Sequence, residues 1–237
     1  MPRRFTNDGS ANDAVKVAAA GFTSWTYGTL AAVWWPDDTT AAAYNLLVVG
    51  TDAQDFVELY TADAASGAPG APRLWNGASA SGAGSDTLTT DRWWLVVLTK
   101  ATGTSQVRRH IYDYTANTWT RANTGTLANA SGTGATEHGI GFAATPVYSP
   151  NGHVAAVAAW QARDMSDGEV DRLAAGLWDR WNPDILIEFP SGRDHLTRTT
   201  IDQGRNRMRQ TSSGSQVTRT NIAGPPGFRY SALNRRR

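Results

Sequence analysis

Glutamate is scarce in this chain: Glu58, Glu137, Glu169 and Glu188 are the full set. Hydrolysis of a glycosidic bond needs two carboxyl groups flanking the bond to be cut. On a strand such groups fall at alternate positions, as in E-x-D-x-E or E-x-D-x-x-E, because every second side chain shares a face. No glutamate here is spaced that way, and a glycoside hydrolase becomes a remote alternative. Asp37-Asp38 and Asp52/Asp55 could touch a cation. Adjacent aspartates in a turn also accept backbone N–H bonds, and calcium sites recruit several convergent oxygen ligands. His110, His138, His153 and His195 have no H-x-x-x-H or HExxH spacing, and cysteine is absent, so no zinc set is evident. There is no cysteine nucleophile and no G-x-S-x-G elbow. Ser131-Gly132-Thr133-Gly134 lacks the lysine of a phosphate-binding loop. The chain reads as non-enzymatic, with no cofactor and no metal.

Aromatic and basic residues leave binding chemistry open. The chain has ten tryptophans, and Trp34, Trp35, Trp75, Trp93, Trp94 and Trp119 could stack on sugar rings. In each Trp-Trp pair one ring faces each side of a strand, so one is core and the other fronts a surface. The residues alone do not say which. Trp35, Trp75 and Trp119 are the candidate sugar-stacking residues. The charge is split: 1–192 carries 12 basic and 19 acidic residues, whereas ten arginines and two aspartates follow, which gives −7 and +8. Arg205, Arg207 and Arg209 fall on one side of an extended segment. With Phe228 and Tyr230 they are the candidate assembly contacts. An acidic body repels phosphates, so the basic tail is expected to dock on acidic protein surfaces rather than on nucleic acid.

The elements that must carry these residues are mostly strands. The pattern predicts strands over 14–18, 28–35, 44–49, 56–60, 73–75, 93–99, 107–114, near 119, and over 139–143, 154–160 and 185–189. Gly50-Thr51-Asp52 reads as a hairpin turn. Leu30, Ala32 and Trp34 share one face, and Ala31, Val33 and Trp35 the other, which implies a strand covered on both sides or fronting a partner. Short strands at roughly ten-residue spacing argue for an all-β sandwich or barrel. One helix is signalled. Ser166 and Glu169 form a capping box, Met165 and Val170 a hydrophobic staple, and Val170, Leu173, Ala174 and Leu177 repeat at helical spacing. Asn182-Pro183 ends it. No apolar run approaches the ~20 residues of a membrane span, and 1–5 begin no secretion signal.

The order of these features resembles the laminin-G-like, concanavalin-A-like jelly roll. The resemblance lies in Leu30 to Pro36, Asp91 to Thr99 with its hairpin partner near Tyr112, Gly141-Phe142, and a closing strand, Gly152 to Trp160, that leads into the Ser166/Glu169 helix. It covers roughly 5–180. The Cys-free form and the tail with Gly224-Pro225-Pro226-Gly227 are similar to minor structural (tail) proteins of actinobacterial tailed phages. The chain departs from calcium-binding laminin-G modules, because no acidic calcium loop and no disulfide is present.

The expectations follow. The fold is an all-β, two-sheet antiparallel jelly roll with one short helix near 166–178. The sandwich spans 1–190, and an extended basic arm spans 191–237. The resemblance implies a virion structural protein of a tailed phage, made in the host cytoplasm, with other virion proteins and self as partners. The alternative is a carbohydrate-binding adhesion module whose partner is a host surface glycan.

Overall fold

The computed structural model describes residues 2–5, 14–18, 26–39, 42–49, 57–62, 68–76, 79–82, 86–128, 137–141, 149–189, 210–213, 218–219 and 222–231. Eleven strands precede the helix: β1 (Arg3–Phe5), β2 (Ala14–Ala18), β3 (Gly28–Pro36), β4 (Tyr44–Val49), β5 (Val57–Thr61), β6 (Pro72–Trp75), β7 (Trp94–Lys100), β8 (Gln106–Asp113), β9 (Thr118–Thr126), β10 (Glu137–Ile140) and β11 (Gly152–Gln161). Helix α1 (Asp167–Leu173) and a 3₁₀ turn (Trp178–Trp181) come next, then β12 (Ile185–Glu188), β13 (Gln210–Ser213) and β14 (Thr218–Arg219).

They form an eight-stranded sheet, β14-β1-β11-β3-β7-β8-β9 with β12 also on β11, and a six-stranded sheet, β13-β2-β10-β4-β5-β6. Every strand pairing is antiparallel. The fold is a jelly-roll β-sandwich; the strand pattern implied a sandwich or barrel, and the resemblance implied the jelly roll.

Period-two alternation divides the apolar residues into two layers. Leu30, Ala32 and Trp34 of β3, Val96 and Leu98 of β7, and Val157 and Ala159 of β11 face the six-stranded sheet. They meet Tyr44, Leu46, Leu47, Leu59 and Leu74 there. Ala31, Val33, Leu95, Val97, Ala158 and Trp160 face the other way. That back face is covered by Val170 and Leu173 of α1, by Trp178, and by Phe228 and Tyr230. The central strands are thus apolar on both faces because both are covered. Within the Trp pairs, Trp34 is core at 0% exposure, while Trp35 is half-buried on the back face. Trp93 is buried in the back layer, and Trp94 is half-buried beside the inner core.

The helix differs from the expected 166–178. It ends at Leu173, and Gly176 (φ 81) and Leu177 (φ 59) turn the chain left-handed before the 3₁₀ turn. Glycine permits both this conformation and the close approach of another segment: a Cβ at Gly176 would lie 2.2 Å from the Arg229 carbonyl oxygen. The strand expected near Trp119 runs the full length of β9. The Gly50-Thr51-Asp52 turn lies outside the described residues.

The described parts of 191–237 belong to the body. β13 extends the six-stranded sheet beside β2, and β14 extends the other beside β1. Residues 222–231 cross the back layer.

Candidate functional site

One end of the eight-stranded sheet carries a cleft built by two irregular segments. Gly28, Lys100 and Gln161 mark this end, since Gln161 of β11 and Lys100 of β7 both register with Gly28 of β3. Beyond Gln161 the chain turns sharply at Ala162 (φ 56), whose N–H donates to the Tyr27 carbonyl at 3.1 Å. The Thr29 hydroxyl holds the next residue by donating to the Arg163 carbonyl at 2.9 Å. The second segment is the 3₁₀ turn and its exit. Asn182 (φ 50) donates its N–H to the Asp179 carbonyl at 3.1 Å, and the Asp184 N–H donates to Ala159 at 2.9 Å. The two segments are tied together where the Gln161 N–H donates to Asp184 Oδ2 at 2.7 Å.

The cleft between them has a volume of about 190 Å³ and is lined by Trp160, Gln161, Ala162, Arg163, Trp181, Asn182 and Asp184. Trp160 is buried and donates its indole N–H to the Trp181 carbonyl at 3.1 Å. The half-buried Trp181 ring has the Arg163 guanidinium 5.2 Å from its centroid and that of Arg172 at 5.9 Å. Arg163 also donates to Glu169 at 2.7 Å. Glu169 in turn accepts from the Ser166 N–H at 2.9 Å. The Ser166 backbone bond, then the Arg163 guanidinium, hold the Glu169 carboxyl below its usual range against the opposing effect of burial.

Backbone strain converges here. Five non-glycine residues among those described have positive φ; Ala162 and Asn182 line the cleft, and Leu177 opens the turn that carries Trp181. Such conformations cost about 1–3 kcal/mol each and persist where the surroundings over-determine them, often at ligand clamps. The cleft therefore brings two indole side chains together with the planar polar side chains of Gln161, Arg163, Asn182 and Asp184. None of its residues was singled out from the sequence as a ligand contact. Its signal was the run Trp181-Asn182-Pro183-Asp184, an indole flanked by short polar side chains, which reads at first only as a helix stop.

The residues expected from sequence are dispersed. Trp119, on β9, is in ring contact with Tyr112 at 4.9 Å and carries the Arg121 guanidinium 4.8 Å from its centroid. Trp35 packs edge-on against Trp93 at 5.7 Å. Trp75, half-buried on the outer face of the six-stranded sheet, makes no ring or cation contact among the described residues. Phe228 and Tyr230 are 9% and 5% exposed, 5.1 Å apart, and Phe228 meets Trp178 at 5.6 Å. Their rings are enclosed by this chain and are not presented to a neighbouring subunit. Arg205, Arg207 and Arg209 lie outside the described residues.

Asp52 and Asp55 lie outside the described residues, and the described candidate acids are engaged in structure. Asp37 pairs with Arg4 at 3.3 Å and lies 3.6 Å from His153, and Asp38 accepts from the Tyr44 hydroxyl at 2.6 Å. Glu188 is buried and accepts from the Ser231 N–H at 3.1 Å. Among the described residues no three His, Cys, Asp or Glu group as a metal site, and no helix is long and apolar enough to cross a membrane.

No family model matches the chain, and no curated protein matches it. Solved structures do. A proposed carbohydrate-binding protein from Bacteroides ovatus ATCC 8483 superposes with a TM-score of 0.63 at 16% identity over 94% of this chain. The chain spans 61% of that protein's length. The LG1-3 region of the laminin alpha2 chain gives 0.48 at 13% identity, over 67% of this chain and 30% of that one. Tailspike protein 2 of the Escherichia coli O157:H7 bacteriophage CAB120 gives 0.45 at 15% identity, over 64% and 22%. The first of these places the chain in the jelly-roll class; the other two superpose too loosely to carry an argument.

Proposed function

We propose that this chain is a non-enzymatic jelly-roll module that binds a glycan through one sugar ring seated in the Trp181 cleft. The observation that carries the proposal is the cleft's make-up: Trp160 and Trp181 beside Gln161, Arg163, Asn182 and Asp184, on backbone with positive φ at Ala162 and Asn182. A sugar ring offers apolar C–H groups to an aromatic surface and hydroxyls to planar amide, carboxylate and guanidinium groups. At about 190 Å³ the cleft is smaller than the roughly 300–1,000 Å³ that drug-sized ligands occupy. It fits one ring rather than several. The Bacteroides ovatus protein supports the reading by analogy of fold.

The virion structural role stands second. Its motive is the charge split between an acidic body and a basic tail. It loses ground because Phe228 and Tyr230, its apolar anchors, are buried within this chain. The two readings are compatible in a sandwich that binds glycan from the surface of a particle.

A glycan array probed with the wild-type chain, Trp181→Ala and Trp75→Ala tests the site. Saturable binding should weaken at least tenfold in Trp181→Ala and persist in Trp75→Ala. Loss confined to Trp75→Ala moves the site to the outer face of the six-stranded sheet, and an array without any bound glycan ends the proposal. Release of reducing sugar from a bound glycan would overturn its non-enzymatic half.

A further inference from the structure

We infer that residues 222–231 are a clip that positions the ligand cleft by holding the 3₁₀ turn Trp178–Trp181 in place. The turn cannot hold itself. It has four residues, and such short 3₁₀ segments have poor internal hydrogen bonding. It is entered through Leu177 (φ 59) and left through Asn182 (φ 50), both in the left-handed region that L-residues avoid. An outside partner must supply what the turn lacks.

The clip supplies it at three levels. Its backbone pairs with the segment before the turn: Arg229 N–H donates to Ala175 at 3.0 Å, and Leu177 N–H donates to Arg229 at 2.7 Å, forming a parallel bridge at Gly176. The Ser231 hydroxyl accepts the Asp179 N–H at 3.1 Å, inside the turn itself. Ser231 is fixed from below, since its own N–H donates to Glu188 of β12. Finally, rings relay the clip to the cleft. Phe228 meets Trp178, Trp178 meets Trp160 at 6.0 Å, and Trp160 lines the cleft and bonds the Trp181 carbonyl. The other end is anchored where Trp93 donates its indole N–H to the Ala223 carbonyl at 2.9 Å.

Gly176 is the point at which the clip can be released. A Cβ there would stand 2.2 Å from the Arg229 oxygen and 2.5 Å from its nitrogen, and these are backbone atoms that cannot rotate away. Alanine at this position, already at φ 81, must push Arg229 off.

The structural half of the inference stands without any ligand; only its role in binding rests on the proposed glycan site. The chain is labelled with 5-fluorotryptophan, and hydrogen exchange is followed residue by residue. In Gly176→Ala, exchange at the Leu177 and Asp179 amides should quicken at least tenfold. The fluorine signals of Trp160, Trp178 and Trp181 should move, while that of Trp34 in the inner core stays. Ser231→Ala removes one bond and should quicken Asp179 alone; it decides the matter if Gly176→Ala also moves Trp34 through general unfolding. Unchanged exchange at both amides in both variants overturns the clip. If the amides and rings respond but the affinity of Gly176→Ala for a glycan bound on the array falls less than tenfold, the clip is only structural and its positioning role is refuted.

Discussion

The two apolar layers of this protein are built from different side chains, and they hold different kinds of chain. Between the sheets the filling is largely Leu, Val and Ile on regular strands, where backbone ladders satisfy the polar groups. Behind the eight-stranded sheet, Ala31, Ala155, Ala156 and Ala158 share the sheet face with Val33, Leu95, Val97 and Trp160, and Val170, Leu173, Trp178, Phe228 and Tyr230 cover it. There the aromatic rings also fasten irregular backbone. Trp178 donates to the Leu173 carbonyl at 2.8 Å, and Tyr114 to the Ala174 carbonyl at 3.0 Å. Trp93 and Trp160 do the same for Ala223 and Trp181. The alanines of β11 leave room for large rings, and the single polar atom of each indole or phenol bonds irregular backbone that has no ladder partner. The inner layer specifies the sandwich. The back layer shapes the loops, and the cleft sits among them.

This contrast breaks if the layers respond alike to truncation. Trp178→Ala should cost about 3–5 kcal/mol, and it should separate the two layers. Near-UV aromatic ellipticity would be lost at lower urea than the far-UV sheet signal. Leu30→Ala, at a fully buried inner position, should cost roughly 2–5 kcal/mol and leave the two signals coincident, as one cooperative transition requires. Coincident curves in both variants would merge the layers into one unit.

The next largest effect is acid sensitivity on the back-layer side of β8. His110 is 1% exposed, and among the described residues neither ring nitrogen has a hydrogen-bond partner. Burial, aided by Arg108 and Arg121 and opposed by Asp167 and Asp171, pushes its pKa from 6.5 down to about 4. The unfolded chain therefore takes up the proton first. The stability is fully present above pH 6.5 and is lost as the pH falls toward 4. At 1.36 kcal/mol per pH unit the loss reaches roughly 3 kcal/mol. His153 is depressed as well, first by burial, and adds to the same slope. Urea unfolding at pH 7 and pH 4 should show the loss shrinking in His110→Phe; an equal loss would assign the acid sensitivity elsewhere.

Smaller effects sharpen the picture of how α1 is fixed. The Ser166 N–H and hydroxyl both donate to Glu169 at 2.9 Å. Ser166→Ala should cost about 1 kcal/mol. Arg108 and Asp167 are paired across the sheet surface, but both are more than one-third exposed. Asp167→Asn should cost no more than about 1 kcal/mol, less in high salt. Thermal melts rank the two, and the reverse order would make the ion pair the stronger fixture.

The sandwich was legible because alternation is a local signal. The double-faced pattern from Leu30 to Trp35 announced a strand covered on both sides or fronting a partner, and within this chain it is covered on both sides. The capping box and staple marked where α1 begins. Its end was misplaced because Gly176, which takes the left-handed conformation (φ 81) that terminates helices, was read through as helical. The cleft left only the Trp181-to-Asp184 run as a signal, because its walls come from separate segments. Trp181 and Asn182 come from one segment and Arg163 from another, joined only through tertiary bonds such as Gln161 to Asp184. Phe228 and Tyr230 were read as assembly contacts, and sparse hydrophobicity after Pro190 does not reveal that their rings pack within this chain.

The late strands also set a timetable for synthesis. Arg3 of β1 registers with Arg219 of β14, and β2 registers with β13. At about 5–20 residues per second, β1 leaves the ribosome roughly 10–40 s before its outer neighbour exists. Throughout that interval the nascent chain carries open edges on both future sheets, the kind of edge that templates pairing with other chains. High-separation pairing of this sort folds slowly. Yield in cells should therefore depend on translation rate and holdase chaperones more than on the stability of the finished sandwich.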